Sequence, residues 1–304
     1  MSREVVVSRT PRFSPFARMP RFSRTPGGPP VPAPLMILAA IASVQIGSAV
    51  ARHLFDDLGA AGVTLWRLAL AALILGVAFR PDVRRWSLAA WRAAALLGLA
   101  MAGMNLLFYL ALQTVPLGVG VTVEFLGPLL LTLAQTRRLA DLLWALLAAG
   151  GVALLGLGSG FTAPIGGLLL AFAAGLCWAG YILASAHLGS VVPGTGGLAV
   201  ALAVAALLVL PFGASGASAA FDHPLLLPGV AAVALLSSVI SYGLELNALR
   251  HVPTRVFGIL MSLEPAAAAL AGLALLGQTL GLREVSALVL VSVASLGATL
   301  VRRA

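Results

Sequence analysis

Four ionisable residues lie inside long apolar stretches of the chain: Arg67, Glu124, Glu245 and Glu264. In hydrocarbon each costs about 2.5 to 3.5 kcal/mol at a helix centre, so such residues normally face a bundle interior or a watery cavity and mark functional positions. Burial disfavours the charged form of a carboxyl group and a nearby arginine favours it, so a glutamate set between the two can take up and release a proton as its surroundings change. The plain structural alternative is an ion pair of Arg67 with one glutamate that holds helices together. Two acids would still remain. Glu245 lies eight residues before Pro253 and reads equally well as a solvated vestibule residue or a coupling residue.

Gln45, Asn105, Tyr109, Trp178 and Tyr181 are polar or aromatic residues in the same apolar stretches. They are cavity-lining candidates, although aromatic residues also fill cores and anchor at membrane interfaces. Pro128 and Pro265 remove a backbone donor beside Glu124 and Glu264 and can kink the helices there. The carbonyls so freed are available to substrate or to water. Cys177 is the only cysteine, and the four histidines are scattered at helix ends or in loops. The residue pattern therefore holds no disulfide framework, no metal-ligand spacing, no nucleophile and base pair and no glycine-rich phosphate loop. Neither a metal nor a cofactor is expected, and enzymatic chemistry is disfavoured.

The elements that must position these residues come in two copies. Set Pro116 on Pro253 and the frame holds: Ala111-Leu112 falls on Ala248-Leu249, Val115 on Val252 and Pro128 on Pro265, an offset of 137 residues. Each copy carries an acid between its two prolines, Glu124 in the first and Glu264 in the second. At 1.5 Å per residue Glu124 lies about 12 Å beyond Pro116 and Glu264 about 16 Å beyond Pro253, so both fall toward mid-membrane. In the aligned frame they are three positions apart, on similar faces of equivalent helices.

An apolar content of 60%, only 10% charged residues and a mean hydropathy of +1.04 exclude a soluble globular domain. Such a composition cannot cover a folded surface with polar groups, so the chain is an all-α polytopic membrane protein. Ten windows are long enough to cross the bilayer: 34–51, 59–79, 93–112, 116–134, 140–158, 166–187, 196–213, 227–249, 253–276 and 284–301. An odd number of spans per repeat makes the second unit enter from the opposite side. The expected organisation is therefore a cytoplasmic Arg/Pro-rich disordered tail over 1–32 and two inverted five-helix repeats, 33–158 and 159–304.

The formal charge of +9 comes wholly from arginine, and sixteen of the 19 arginines fall in the tail or in connections on one side. The positive-inside bias places that side, with both termini, in the cytoplasm. Because the arginines crowd between apolar runs, the lipid bilayer rather than nucleic acid is the expected partner. The tail reads as uncleaved, with Met19 an alternative start.

The blocks ASVQ at 42–45, GMNLLFYLALQTVPLGVGVTVEFLGPL at 103–129, CWAGYIL at 177–183 and PTRVFGILMSLEP at 253–265 resemble the threonine/homoserine exporters of the drug/metabolite transporter (EamA) superfamily. The resemblance runs from about residue 34 to 301. It implies a ten-helix bacterial inner-membrane exporter of small amino acids that exchanges substrate for protons, with Glu264-Pro265 matching the wider superfamily and Glu124 the amino-acid branch. One departure is Gln278, where an acid is common in the family.

The expectation is thus an amino-acid exporter with alternating access around a central cavity. A zwitterionic substrate would set its carboxylate toward Arg67 and its ammonium toward Glu124, with Asn105 and Tyr109 supplying hydrogen bonds. Trp178, Tyr181 and Glu245 are further lining or coupling candidates, and Pro116, Pro128, Pro253 and Pro265 are kink or gating positions. Export of a non-amino-acid drug or metabolite, a passive channel and a polytopic enzyme are the alternatives.

Overall fold

A computed structural model describes residues 31–134, 139–156, 164–192, 195–249, 251–252 and 254–301. Pro253 and all of the N-terminal tail but its last residues lie outside this set. The regular structure among the described residues is wholly helical: α1 (Ala33–His53), α2 (Phe55–Phe79), α3 (Leu88–Ala111), α4 (Leu117–Glu124), α5 (Leu126–Ala134), α6 (Leu139–Gly156), α7 (Ile165–Val191), α8 (Gly196–Asp222), α9 (Leu227–Ala234), α10 (Ser241–Leu249), α11 (Thr254–Met261), α12 (Glu264–Leu276) and α13 (Leu282–Val301). Helices are the form in which a chain inside hydrocarbon satisfies its own backbone groups. Among the described residues nine helical segments, each counted across any internal break, are long and apolar enough to cross a membrane.

Local chemistry sets several boundaries. α3 starts at Leu88, earlier than the hydropathy window, because the Ser87 hydroxyl caps it by accepting the Ala90 N–H at 3.2 Å. Arg92 therefore lies within the helix rather than before it. α2 ends on Arg80 in the left-handed conformation (φ 42°), directly before Pro81. α8 runs on to Asp222, nine residues beyond the apolar window.

Besides the kink at Gly59 in α2, three membrane segments among the described residues are interrupted, and each of these three interruptions bears on the site. α4 gives way to α5 at Phe125, immediately after Glu124, and α11 gives way to α12 at Ser262-Leu263, immediately before Glu264. Pro128 and Pro265 cannot donate to the carbonyls four residues back, those of Glu124 and Met261. The third interruption is a π-helical turn, Leu235–Ile240, between α9 and α10.

Small residues let the helices approach closely. Along the α2–α8 contact, a Cβ on Gly62 would come within 2.8 Å of the Ala217 nitrogen. Trp66 Nε1 donates across the same contact to the Ala217 carbonyl at 3.0 Å. α3 packs on α7 and α8, α6 on α13, α1 on α10 and α12, and α5 on α7. The acid-bearing segments pack on α7 and α1 respectively: α4 and α5 on α7, and α11 and α12 on α1.

Candidate functional site

Arg67, on α2, is 5% exposed and is held by two elements, the π-helical turn Leu235–Ile240 and α3. Its Nε donates to Ser238 Oγ at 3.0 Å, one terminal nitrogen to the Tyr109 hydroxyl at 3.1 Å, and the other to the Ser237 carbonyl at 2.9 Å. The guanidinium carbon lies 5.3 Å from the Tyr109 ring centroid, and that ring packs in turn against Phe55 at 5.4 Å. The structural ion-pair alternative is not what the geometry shows: among the described residues the one ion pair is Arg85 with Asp82, at the surface.

The π-helical turn explains why this segment can hold an arginine. A widened turn leaves carbonyls without their ordinary helical donors, and side chains fill the gap. Ser43 Oγ donates to the Leu236 carbonyl at 2.7 Å, while the Ser237 carbonyl accepts from Ser241 Oγ at 3.0 Å as well as from Arg67. Sequence reasoning missed Ser237 and Ser238. The signal was present as three serines, 237, 238 and 241, inside the apolar run 227–249.

The two acids meet through the crossing of α4 and α12. A Cβ on Gly118 would lie 2.9 Å from Ala269 Cα, and one on Gly272 would lie 3.6 Å from Leu117 Cβ. Leu117 opposite Gly272 and Gly118 opposite Ala269 make the two helices antiparallel, and six residues beyond Gly118 and five before Ala269 are Glu124 and Glu264. The acids thus stand at the same level, each at a break in its helix. Glu124 is within electrostatic reach of both Glu264 and Arg67, and Glu264 is within reach of Glu245.

Their surroundings differ. Glu124 is 8% exposed, and its carboxylate makes no hydrogen bond among the described residues. Its backbone carbonyl, freed by Pro128, faces Gly175 of α7, where an added Cβ would overlap it. That carbonyl is seated against the Gly175 backbone. Glu264 Oε1 accepts from Gln45 Nε2 at 3.3 Å, whereas Glu264 Oε2 and Gln45 Oε1 are both buried without a partner.

The remaining candidates divide. Tyr181 and Glu245 lie together, both within electrostatic reach of Tyr242, whose other neighbours are Arg67, Tyr109 and Glu124. Tyr242 was not singled out from the sequence, although it follows Ser238 by one turn and precedes Glu245 by another on the same helical face. Asn105 is buried and its Nδ2 donates to the Met101 carbonyl on its own helix at 2.7 Å. Trp178 packs edge-on against Phe125, 5.4 Å between centroids, beside the break that follows Glu124. Pro116 caps the start of α4. Gln278 has more than a marginal place: its Oε1 accepts the Leu117 N–H at 2.9 Å, so the end of α12 caps the start of α4. His53 Nε2 and the Leu275 carbonyl, 3.2 Å apart, tie α1 to the end of α12 as well.

Residues 165–300 match the EamA-like transporter family. Threonine/homoserine exporter RhtA of Escherichia coli (strain K12) is 43% identical over 284 residues, covering 90% of this chain and 94% of that protein. The protein of the same name from Salmonella typhimurium (strain LT2) is 44% identical over 271 residues, covering 88% and 92%. A solved crystal structure 19% identical in sequence superposes with a TM-score of 0.53 over 88% of this chain and 98% of its own, a likeness of fold alone. A polytopic helical chain with a buried arginine opposite paired acids, similar along nearly its whole length to these exporters, belongs to the EamA-like transporter family and is a membrane transporter rather than an enzyme.

Proposed function

We propose that the chain is a secondary active exporter of small amino acids of the threonine/homoserine kind, exchanging substrate for protons by alternating access in a bacterial inner membrane. The relatives' names support the substrate class. The observation that carries the reading is the contrast between a pinned cation and an unbonded acid: Arg67 is fixed by three acceptors, none of them a carboxylate, and Glu124 beside it has no hydrogen-bond partner among the described residues. A zwitterion complements that pair. Three of the five guanidinium N–H groups are engaged within the protein, so the others are available to a substrate carboxylate. Glu124 receives the ammonium, with Tyr109 and Tyr242 beside the pair.

Alternating access follows from two inverted five-helix units, 33–158 and 159–304, that rock about this site. The antiparallel crossing of α4 and α12, and the packing of each acid-bearing segment on the other unit, support that architecture. The arginine distribution supports cytoplasmic termini, which puts Pro116 on the periplasmic side and Pro253 on the cytoplasmic side.

Proteoliposomes loaded with labelled threonine or homoserine, with and without an imposed pH gradient, test the proposal. Gradient-stimulated movement of either amino acid is expected. Movement of neither, in vesicles whose protein is folded, would replace the reading with a non-amino-acid substrate.

A further inference from the structure

The strongest unassigned feature is the pair Gln45 and Glu264. It joins α1 to the first residue of α12, so it spans the contact between the two units. One hydrogen bond links the side chains, Nε2 to Oε1 at 3.3 Å, and two buried acceptors are left over, Gln45 Oε1 and Glu264 Oε2. Orphaned buried polar atoms are rare because each forfeits its hydration without a replacement. Here the two leftover atoms belong to the same pair of planar groups. An amide and a carboxylic acid close a ring of two hydrogen bonds: the amide N–H donates to the acid carbonyl, and the acid O–H donates to the amide carbonyl. With a carboxylate that second bond cannot form and both acceptors stay without a partner, whereas a proton on Oε2 provides the missing donor.

We infer that Gln45 and Glu264 together form the proton-binding site of this transporter, and that the conformation described here is its proton-loaded state. Binding adds one proton to Glu264 Oε2 and forms the O–H bond and the hydrogen bond to Gln45 Oε1; release returns that proton to water and breaks the hydrogen bond.

The groups that face Glu264 are consistent with the assignment. α4 brings Glu124 and α10 brings Glu245, both acids within its electrostatic reach or it within theirs. α1 brings neutral Gln45. Arg67 is directed to Ser237, Ser238 and Tyr109. On α13 the charged Arg283 and Glu284 sit in the first turn, beyond Gly277 and thus at the opposite end of α12. No cation among the described side chains pairs with Glu264, so a proton is the charge compensation within reach. Because α1 and α12 belong to different units, loss of the ring on proton release weakens a contact between them, and titration is thereby linked to the rocking motion. That last link rests on the exchange reading above; the proton site itself does not.

Infrared difference spectroscopy of the purified full-length protein tests the site. A protonated-carboxyl C=O band is expected in the wild type, absent in Glu264→Gln and retained in Glu124→Gln. In Gln45→Leu the band should move to higher frequency as its hydrogen bond is lost, and gradient-driven threonine export should fall about fivefold, the scale of one hydrogen bond between neutral groups. The helical circular-dichroism spectrum and thermal midpoint of Gln45→Leu, measured alongside, certify that the variant is folded. A spectrum unchanged by Glu264→Gln, or a band and coupling indifferent to Gln45→Leu, would overturn the inference. If the wild type moves no amino acid yet shows the Glu264 band, the proposed substrate fails and the proton site stands.

Discussion

The two acid-bearing segments are copies in sequence and opposites in construction. In the first, Glu124 closes α4, its backbone carbonyl is packed on Gly175, and its carboxylate is left unbonded beside Arg67. In the second, Glu264 opens α12, with Pro265 in its first turn, and its carboxylate is held by Gln45. A three-residue offset within the repeat produces the difference, since it moves the acid from the end of one half-helix to the start of the next. Similar placement in the sequence therefore gives two acids with different surroundings, and the proposed division between substrate and proton rests on that difference.

The sharpest way to break this comparison is to neutralise each acid separately. Glu124→Gln should lower threonine export and counterflow alike by about 100-fold, because the ammonium loses a charge-assisted hydrogen bond in a buried site. Glu264→Gln should abolish stimulation by the pH gradient while counterflow stays within about threefold of wild type, which a substrate-binding role would not permit. Equal losses in both variants, measured in the same vesicles, would erase the distinction. Arg67→Lys belongs with the first acid. A lysine cannot present the planar fork that reaches Ser237, Ser238 and Tyr109 together, so the substrate KM should rise about tenfold with gradient stimulation intact.

Smaller effects test the scaffold around each acid. Gly175→Ala places a methyl against the Glu124 carbonyl and should cost about 1 to 3 kcal/mol of stability, read as a fall in thermal midpoint of the purified protein. Gln278→Ala removes the cap on Leu117 and should cost about 1 kcal/mol by the same measurement, with coupling unchanged. A Gly175→Ala protein as stable as wild type would mean that the first segment is not seated against α7 as described.

Much of this arrangement was legible before any coordinates. Arg67, Glu124 and Glu264 stand out because a charge in an apolar helix is costly enough to need a reason, and the proline frame shows that two of them are related. Tyr109 was legible as a hydrogen-bonding residue, and the partner the structure shows for it is Arg67. The π-helical turn was not. Its six residues, LLSSVI, have no proline or glycine to announce a break, and the carbonyls it frees are known only once Ser43 and Arg67 are seen to fill them. Tyr242 was hidden for a related reason: its importance comes from Arg67, Glu124 and Glu245 converging from three helices, which no local pattern records. Gln278 shows in the sequence only as a departure from the family pattern, whereas in the structure it caps the start of α4. Hydropathy windows found the segments but misjudged ends where a cap or an arginine, as at Ser87 and Arg92, lies inside the helix rather than beyond it.

The central claim is that substrate binding and proton binding reside on different acids. It is tested most directly by labelled threonine transport in proteoliposomes containing wild type, Glu124→Gln or Glu264→Gln, each with and without a pH gradient. The account predicts gradient-stimulated transport in the wild type, little transport of any kind in Glu124→Gln, and gradient-independent counterflow in Glu264→Gln. Gradient-stimulated threonine transport in Glu264→Gln would contradict it.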